Sequence, residues 1–360
     1  MRGRGDGDGE SGRGQRGKGA FSHAQHSIPF AGVGEPARRS LRLIGMAKLH
    51  NGMHMMAGLH MVHGAVGEPI NREFSLPATM LREPNLVAHA ARHHPRGIAY
   101  SVPATDRAVA HALSHPGTTV TGMGALALYG LPFFADGCDT VLVGPGIRKN
   151  RPATQYTPAL WRLKLREHEA WTVMCAGQPI SVAAPPLAAV HALLSIRRRE
   201  SAWHTFDASA LTRAVQLIDA TRRFLNLTPE SIRISASRRL DRRWLSQVLG
   251  ASSALADSPK ETEMRLLATP VAQKHGLTLA EQVVIRNRWG KRVTDLDLAL
   301  MEPKIGLMYD GAHHWDKQQR TLDSLIQIEL VAQGWQVLRF AEGTLARLPE
   351  SVEEVLRRTL

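Results

Sequence analysis

Strict alternation of apolar and polar residues appears twice between Arg292 and Trp315, the pattern of two half-buried strands. In the first, Leu296, Leu298 and Leu300 share one face and Asp295, Asp297 and Ala299 the other. In the second, Ile305, Leu307 and Tyr309 oppose Gly306, Met308 and Asp310. Glu302-Pro303 reads as the turn of an antiparallel hairpin. Pairing about that turn sets Asp297 opposite Met308 and Asp295 opposite Asp310, with His313 and His314 just past the end. Carboxylates gathered on one face of a ribbon repel one another, and a divalent cation is the usual remedy. A solvated acidic face without a metal accounts for the same pattern.

The hydrophobic periodicity predicts further elements on both sides of the ribbon. Downstream, a helix from Lys317 ends at Gly334, with Leu322, Leu325, Ile326 and Leu330 expected to face the sheet. Val337–Phe340 is the next strand, and residues 350–359 form a closing helix. Upstream, Ser258, Pro259 and Glu261 form a capping box that starts another helix, with Arg265 one turn later. A mixed α/β segment precedes it: a helix opened by Thr105 or Asp106, strands at Thr140–Gly144, Trp171–Cys175 and Ile180–Ala183, and a buried helix opened by Pro186. Helices over 209–226 and from Thr228-Pro229 follow. His191 is expected as a hydrogen-bonded core histidine. Gly122, Gly124 and Ala127 fit a nucleotide-binding fingerprint in spacing only, because no long strand precedes them.

The motifs resemble those of a known family. Ser258-Pro-Lys-Glu-Thr262, the Asp297 strand, Tyr309-Asp-Gly311 with His314 and Trp315, and Gly334-Trp-Gln-Val-Leu-Arg339 follow in the order of the Vsr-like endonuclease domain. That very-short-patch-repair branch has a restriction-endonuclease-like fold, and the resemblance covers about residues 255–355. A domain of unknown function that closes many actinobacterial proteins is closer still. The Thr118–Leu131 segment resembles the middle domain of the type IV toxin–antitoxin antitoxin family. The expected organisation is α/β throughout. A disordered, low-complexity basic start (1–68) leads to an antitoxin-like mixed α/β domain (69–250) and a C-terminal α/β/α endonuclease-fold domain (255–360). The chain departs from the family at Met308, where relatives carry Glu. It departs again at Leu325 and Ile326, where they carry Asp and Arg beyond the retained Asp323.

The resemblance implies metal-dependent hydrolysis of DNA phosphodiesters. Asp297, with Asp310 or Asp295, would hold Mg²⁺ (Mn²⁺ as a substitute), and the Tyr309 backbone carbonyl would add a ligand. His314 would act as general acid or orient the water, and the first-helix Glu261 would approach the metal. The rival expectation is a non-catalytic DNA-binding regulator with a degenerate nuclease fold, favoured by Met308, Leu325 and Ile326. A third is an interaction module with a toxin or other protein partner.

Charge supports a polyanion as partner. The 360 residues carry a formal net charge of +13. Arginines crowd residues 197–243, with Arg238, Arg239, Arg242 and Arg243 at the end of the stretch. These four and Arg265 are the expected phosphate contacts, and a solvated helix face is the plainer alternative. Aromatics are sparse there apart from Trp203 and Trp244, which favours duplex over stacked single strands. No apolar run approaches a membrane-spanning length. Cys138 and Cys175, too few for a disulfide scaffold, fit a reducing cytoplasm. The Gly/Arg-rich residues 1–20 can cling to nucleic acid or be an over-long start that contributes nothing. Residues 50–63 combine His50, Met53, His54, Met55, Met56, His60, Met61 and His63 in a spacing that matches no metal motif.

Overall fold

The computed structural model describes residues 54–55, 62–63, 67–175, 177–311 and 317–359, without the side chains of 54–55, 62–63 and 317–322. It is an α/β protein built on three sheets. Short strands β1 (His54–Met55) and β2 (Val62–His63) come first, then β3 (Glu68–Pro69), β4 (Phe74–Leu76) and helix α1 (Pro84–His93). Strands β2, β4 and β3 form a small antiparallel sheet in that order. The expectations for the other residues before Gly67 lie outside the described residues.

The largest core belongs to the second unit. It contains α2 (Ala104–Ser114), β5 (Thr119–Thr121), α3 (Gly122–Leu128), β6 (Val141–Val143) and β7 (Ala159–Trp161). After them come β8 (Ala170–Cys175), β9 (Gln178–Ala183) and helices α4 (Pro185–Arg197), α5 (Ala210–Leu225), α6 (Pro229–Ser235) and α7 (Arg242–Gly250). The sheet order is β1-β8-β9-β5-β6-β7, and α3 and α4 are apolar nearly all round because both lie inside the core. Ser209, Thr228 and Asp241 cap α5, α6 and α7 through their side-chain oxygens. Helix α2 is opened differently from the expected Thr105 or Asp106 cap: it starts at Ala104, whose N–H donates to the Asp136 carboxylate. Gly122 has φ +61, and Gly124 is packed against Val120 and Ala108, so these glycines serve a tight strand-to-helix joint. His191 is buried and hydrogen-bonded to Thr121 at 2.7 Å. Burial pushes the Cys138 and Cys175 thiols up to about 12 and about 11, which makes them inert core residues.

The third unit reads α8 (Pro259–His275), β10 (Leu279–Arg286), β11 (Arg292–Leu300), β12 (Ile305–Tyr309), α9 (Lys317–Ala332), β13 (Gln336–Phe340) and α10 (Leu348–Thr359). Its sheet order is β10-β11-β12-β13, with the first two pairings antiparallel and the last parallel. The hairpin register matches the sequence reading: Leu298 faces Leu307, Ala299 faces Gly306 and Leu300 faces Ile305. Gly306 is required there, because a Cβ would come within 2.9 Å of Leu296 Cδ1 and 3.2 Å of Val337 Cγ2. Leu298, Leu300, Ile305 and Leu307 pack on α8 and α10. Leu296 departs from its expected face and lies with Ala299, Leu330 and Trp335 on the α9 side. The alternation therefore changes phase at Asp297. Leu325, expected to face the sheet, is 59% exposed, whereas Ile326 and Leu330 do pack on it.

Helix α8 joins the two larger units. Met264, Ala268, Val271 and Ala272 face the four-stranded sheet, while Thr262, Glu263 and Arg265 face α5. Buried Asp219 on α5 accepts from Thr262 Oγ1 at 2.8 Å, from Arg265 Nη2 at 2.5 Å and from the Ser253 N–H at 2.7 Å. Gln216 donates to Glu263 at 2.9 Å and accepts from the Trp203 indole. Replacing Asp219 by Ala would leave the Arg265 charge buried without its carboxylate. We expect that substitution to lower the unfolding free energy by about 3–5 kcal/mol, read from urea denaturation. A drop below about 1 kcal/mol would mean that the joint contributes little.

Candidate active site

The joint fixes where the first turn of α8 lies, and that turn meets the centre of β11. Ser258 accepts from the Glu261 N–H, as a cap should. The reciprocal bond differs from a capping box: Glu261 Oε2 accepts from the Asp257 N–H at 2.9 Å. The same oxygen accepts from Gln282 Nε2 at 2.8 Å. Both donors use Oε2, and among the described residues none reaches Oε1.

Gln282 has no counterpart in the expected site. It sits in β10 with φ +52, a left-handed conformation that a non-glycine residue rarely adopts inside a strand. The pairing passes from Glu281–Leu298 to Val283–Leu296, so Gln282 and Asp297 stand across from each other outside the ladder. This is the same point at which β11 changes phase. Asp297 turns out of the ladder, and its Oδ2 accepts from the Tyr309 N–H at 2.7 Å.

Burial raises the pKa of Glu261 to about 7, and the Asp297 charge adds to the shift against the Asp257 N–H bond. Burial likewise raises Asp297 to about 6, helped by Asp310 and Asp257 and opposed by the Tyr309 N–H and Arg339. Asp297 thus ionises first, and its charge then holds the proton on Glu261. A buried carboxylate pair of this kind can bind a proton near neutrality or share a cation.

The remaining expected site residues separate into near and far. Asp310 lies at the rim of the pair and accepts from Arg339 Nη1 at 2.9 Å, while its N–H donates to Phe340. Asp295 is taken by the Arg292 guanidinium and pairs across the ladder with Val284, so it does not face Asp310 as expected. Tyr309 contributes its N–H to Asp297, and burial pushes its phenol up to about 12. Met308 packs with Ile326, Leu330 and Trp335 on the α9 side, away from the first turn of α8. His313, His314 and Trp315 lie outside the described residues. Among the described residues, no three His, Cys, Asp or Glu side chains are already converged on a metal-sized point.

The arginines divide as well. Arg265 is 8% exposed and bonded to Asp219 and the Ala251 carbonyl, so it is a joint residue and not a phosphate contact. Arg239 donates to Glu169 and the Ser235 carbonyl, which makes it largely structural. Arg238, Arg242 and Arg243 are exposed and have no ion-pair partner among the described residues.

Scans against protein-family models, curated proteins and solved structures return no match to this chain. Among the described residues, no helix is long and apolar enough to cross a membrane.

The raised pKa values carry a stability consequence. A carboxyl whose pKa is higher folded than unfolded makes the fold less stable as pH rises from the ordinary carboxylate range to the folded value. For Glu261 that window runs from 4.5 to about 7. Glu261→Gln keeps an oxygen to accept both donors and removes the charge. We expect the variant to lose this downward slope and to be more stable than wild type at pH 8 by about 1–3 kcal/mol. Denaturation midpoints measured from pH 4 to pH 8 test it, and parallel profiles would refute the assignment.

Proposed function

We propose that this chain is a cytoplasmic DNA-binding protein whose third unit hydrolyses phosphodiesters with the help of a divalent metal. The observation that carries the reading is the Glu261–Asp297 pair, brought together from α8 and β11 with Asp310 at its rim. The α-β-β-β-α-β order around it agrees with a restriction-endonuclease-like fold. The donor set fits Mg²⁺: it is all oxygen, the carboxylates repel one another, and Glu261 Oε1 has no donor. Asp297, Asp310 and Glu261 would hold the ion, with the Tyr309 carbonyl in reach of the same strand end. Such an ion activates water and neutralises charge developing on the phosphate.

The chain supplies the rest. The Tyr309 N–H orients Asp297, and Arg339 orients Asp310. Glu261, with its pKa near 7, can take or return a proton at the pH of the cell. Arg238, Arg242 and Arg243 would hold the phosphate backbone, and His314 remains the proposed general acid. In this reading the middle unit is antitoxin-like. One observation favours the rival regulator: Met308, where related nucleases carry Glu, is committed to the apolar α9 side of the sheet. A thioether is a poor ligand for a hard cation.

Nicking of supercoiled plasmid in Mg²⁺ or Mn²⁺ separates the two. We expect nicking by the wild type and a loss of at least about 100-fold in Asp297→Ala. Duplex binding without any nicking would make the protein a regulator.

The binding surface has its own test. When Arg238, Arg242 and Arg243 become Ala, the slope of log affinity against log salt should flatten by about 0.9 for each phosphate no longer neutralised. Asp297→Ala should leave that slope unchanged. An unaltered slope in the triple variant would return these arginines to a solvated face.

A further inference from the structure

Three histidines gather away from the carboxylates. His89 and His93 occupy successive turns of α1, and His204 reaches them from the loop before α5. The ring centres are 5.0 Å apart for His89–His93, 5.3 Å for His93–His204 and 6.4 Å for His89–His204. Glu342, from the loop after β13, places Oε1 3.4 Å from His204 Nδ1. We infer that His89, His93 and His204, with Glu342, form a binding site for a divalent transition metal of the zinc class.

The spacing is the first argument. With Zn–N bonds of about 2.0–2.1 Å, imidazoles on a tetrahedral ion hold their ring centres about 5 Å apart. Two of the three separations already have that value. The rings as they stand do not converge on one point. The χ2 torsion of histidine is broad and soft, however, so turning a ring is a small adjustment beside bringing three backbone segments together.

Protonation is the second argument. Burial lowers the His93 pKa, and neighbouring His89, His204, Arg92 and Arg213 lower it further. His93 is thereby kept in the neutral form that binds metal. Arg92 and Arg213 would also oppose an added dication, and the Glu342 carboxylate offsets part of that repulsion.

Imidazole with one carboxylate suits zinc better than magnesium. The ligands come from α1, the α4–α5 loop and the β13–α10 loop, so the ion would clamp the three units of the chain to one another.

The test is a Zn²⁺ titration of chelator-treated full-length protein by calorimetry. Circular dichroism should establish that each variant is folded. His50, His54, His60 and His63 offer competing imidazoles, so a companion variant carries Gln at all four. The expected result is one Zn²⁺ per chain in wild type and in that companion. His89→Gln, His93→Gln, His204→Gln and Glu342→Gln should each weaken binding by at least about tenfold. The inference is overturned if wild type binds no Zn²⁺. It is equally overturned if the folded His89, His93 and His204 variants bind as wild type does, or if binding disappears in the companion alone.

Discussion

The Asp219–Arg265 pair is the constraint on which the arrangement of the chain depends. Both charges are buried, and each is tolerable only because the other is present. Asp219 also accepts from Thr262 and Ser253, so its oxygens are occupied on several sides. Arg265 passes on to the Ala251 carbonyl and approaches Glu281 of β10 at 3.3 Å. One guanidinium therefore touches α5, the connection after α7 and the edge strand of the last sheet. A hydrophobic contact of similar area would permit α8 to slide or rotate, whereas directional bonds to a buried charge do not. Glu261 lies one turn before Arg265 on the same helix, and its position against Asp297 is a consequence of that fixation.

The second constraint is conformational. Asp297 could not both remain in the β11 ladder and aim its carboxylate at the Tyr309 N–H. The strand resolves the conflict by changing phase there, with Gln282 opposite in a left-handed conformation. Such backbone strain persists only where the surroundings over-determine it. Here the Gln282 amide is tied to Glu261, which is itself tied to the Asp257 N–H. Helix start, strand irregularity and carboxylate pair support one another.

Much of this third unit is legible in the sequence, and the failures have physical reasons. The hairpin register follows from turn chemistry and alternation, which are local. The helix starts at Ser209, Thr228 and Ser258 follow from side-chain capping, which is also local. Strand β10 is not legible, because Leu279–Arg286 alternates poorly and carries Gln282 at its irregular point. The phase change at Asp297 is equally invisible, since Leu296 and Leu298 look equivalent until Gly306 and Val337 show which of them has room. Arg265 reads as a free cation because its partner lies 46 residues away, on another helix. Leu325 reads as a core residue, but α9 presents it to solvent along with Ile328 and Val331.

The same distinction changes what the net charge means. A sum over the sequence counts Arg107, Arg239 and Arg265 with the rest. Arg107 is buried and donates to the Val102, Cys138, Ala135 and Asp136 carbonyls. Arg239 and Arg265 are held by Glu169 and Asp219. These charges consolidate the fold and add little to the field a ligand meets. Arg238, Arg242 and Arg243 are different, because they surround the start of α7 and remain in solvent. Helix α7 packs on α5, and α5 carries Asp219. The exposed cations and the carboxylate pair are therefore attached to opposite sides of one rigid joint. A chain that must hold an extended polyanion and act on it elsewhere requires that fixed separation, and the α7–α5–α8 stack provides it without a flexible linker.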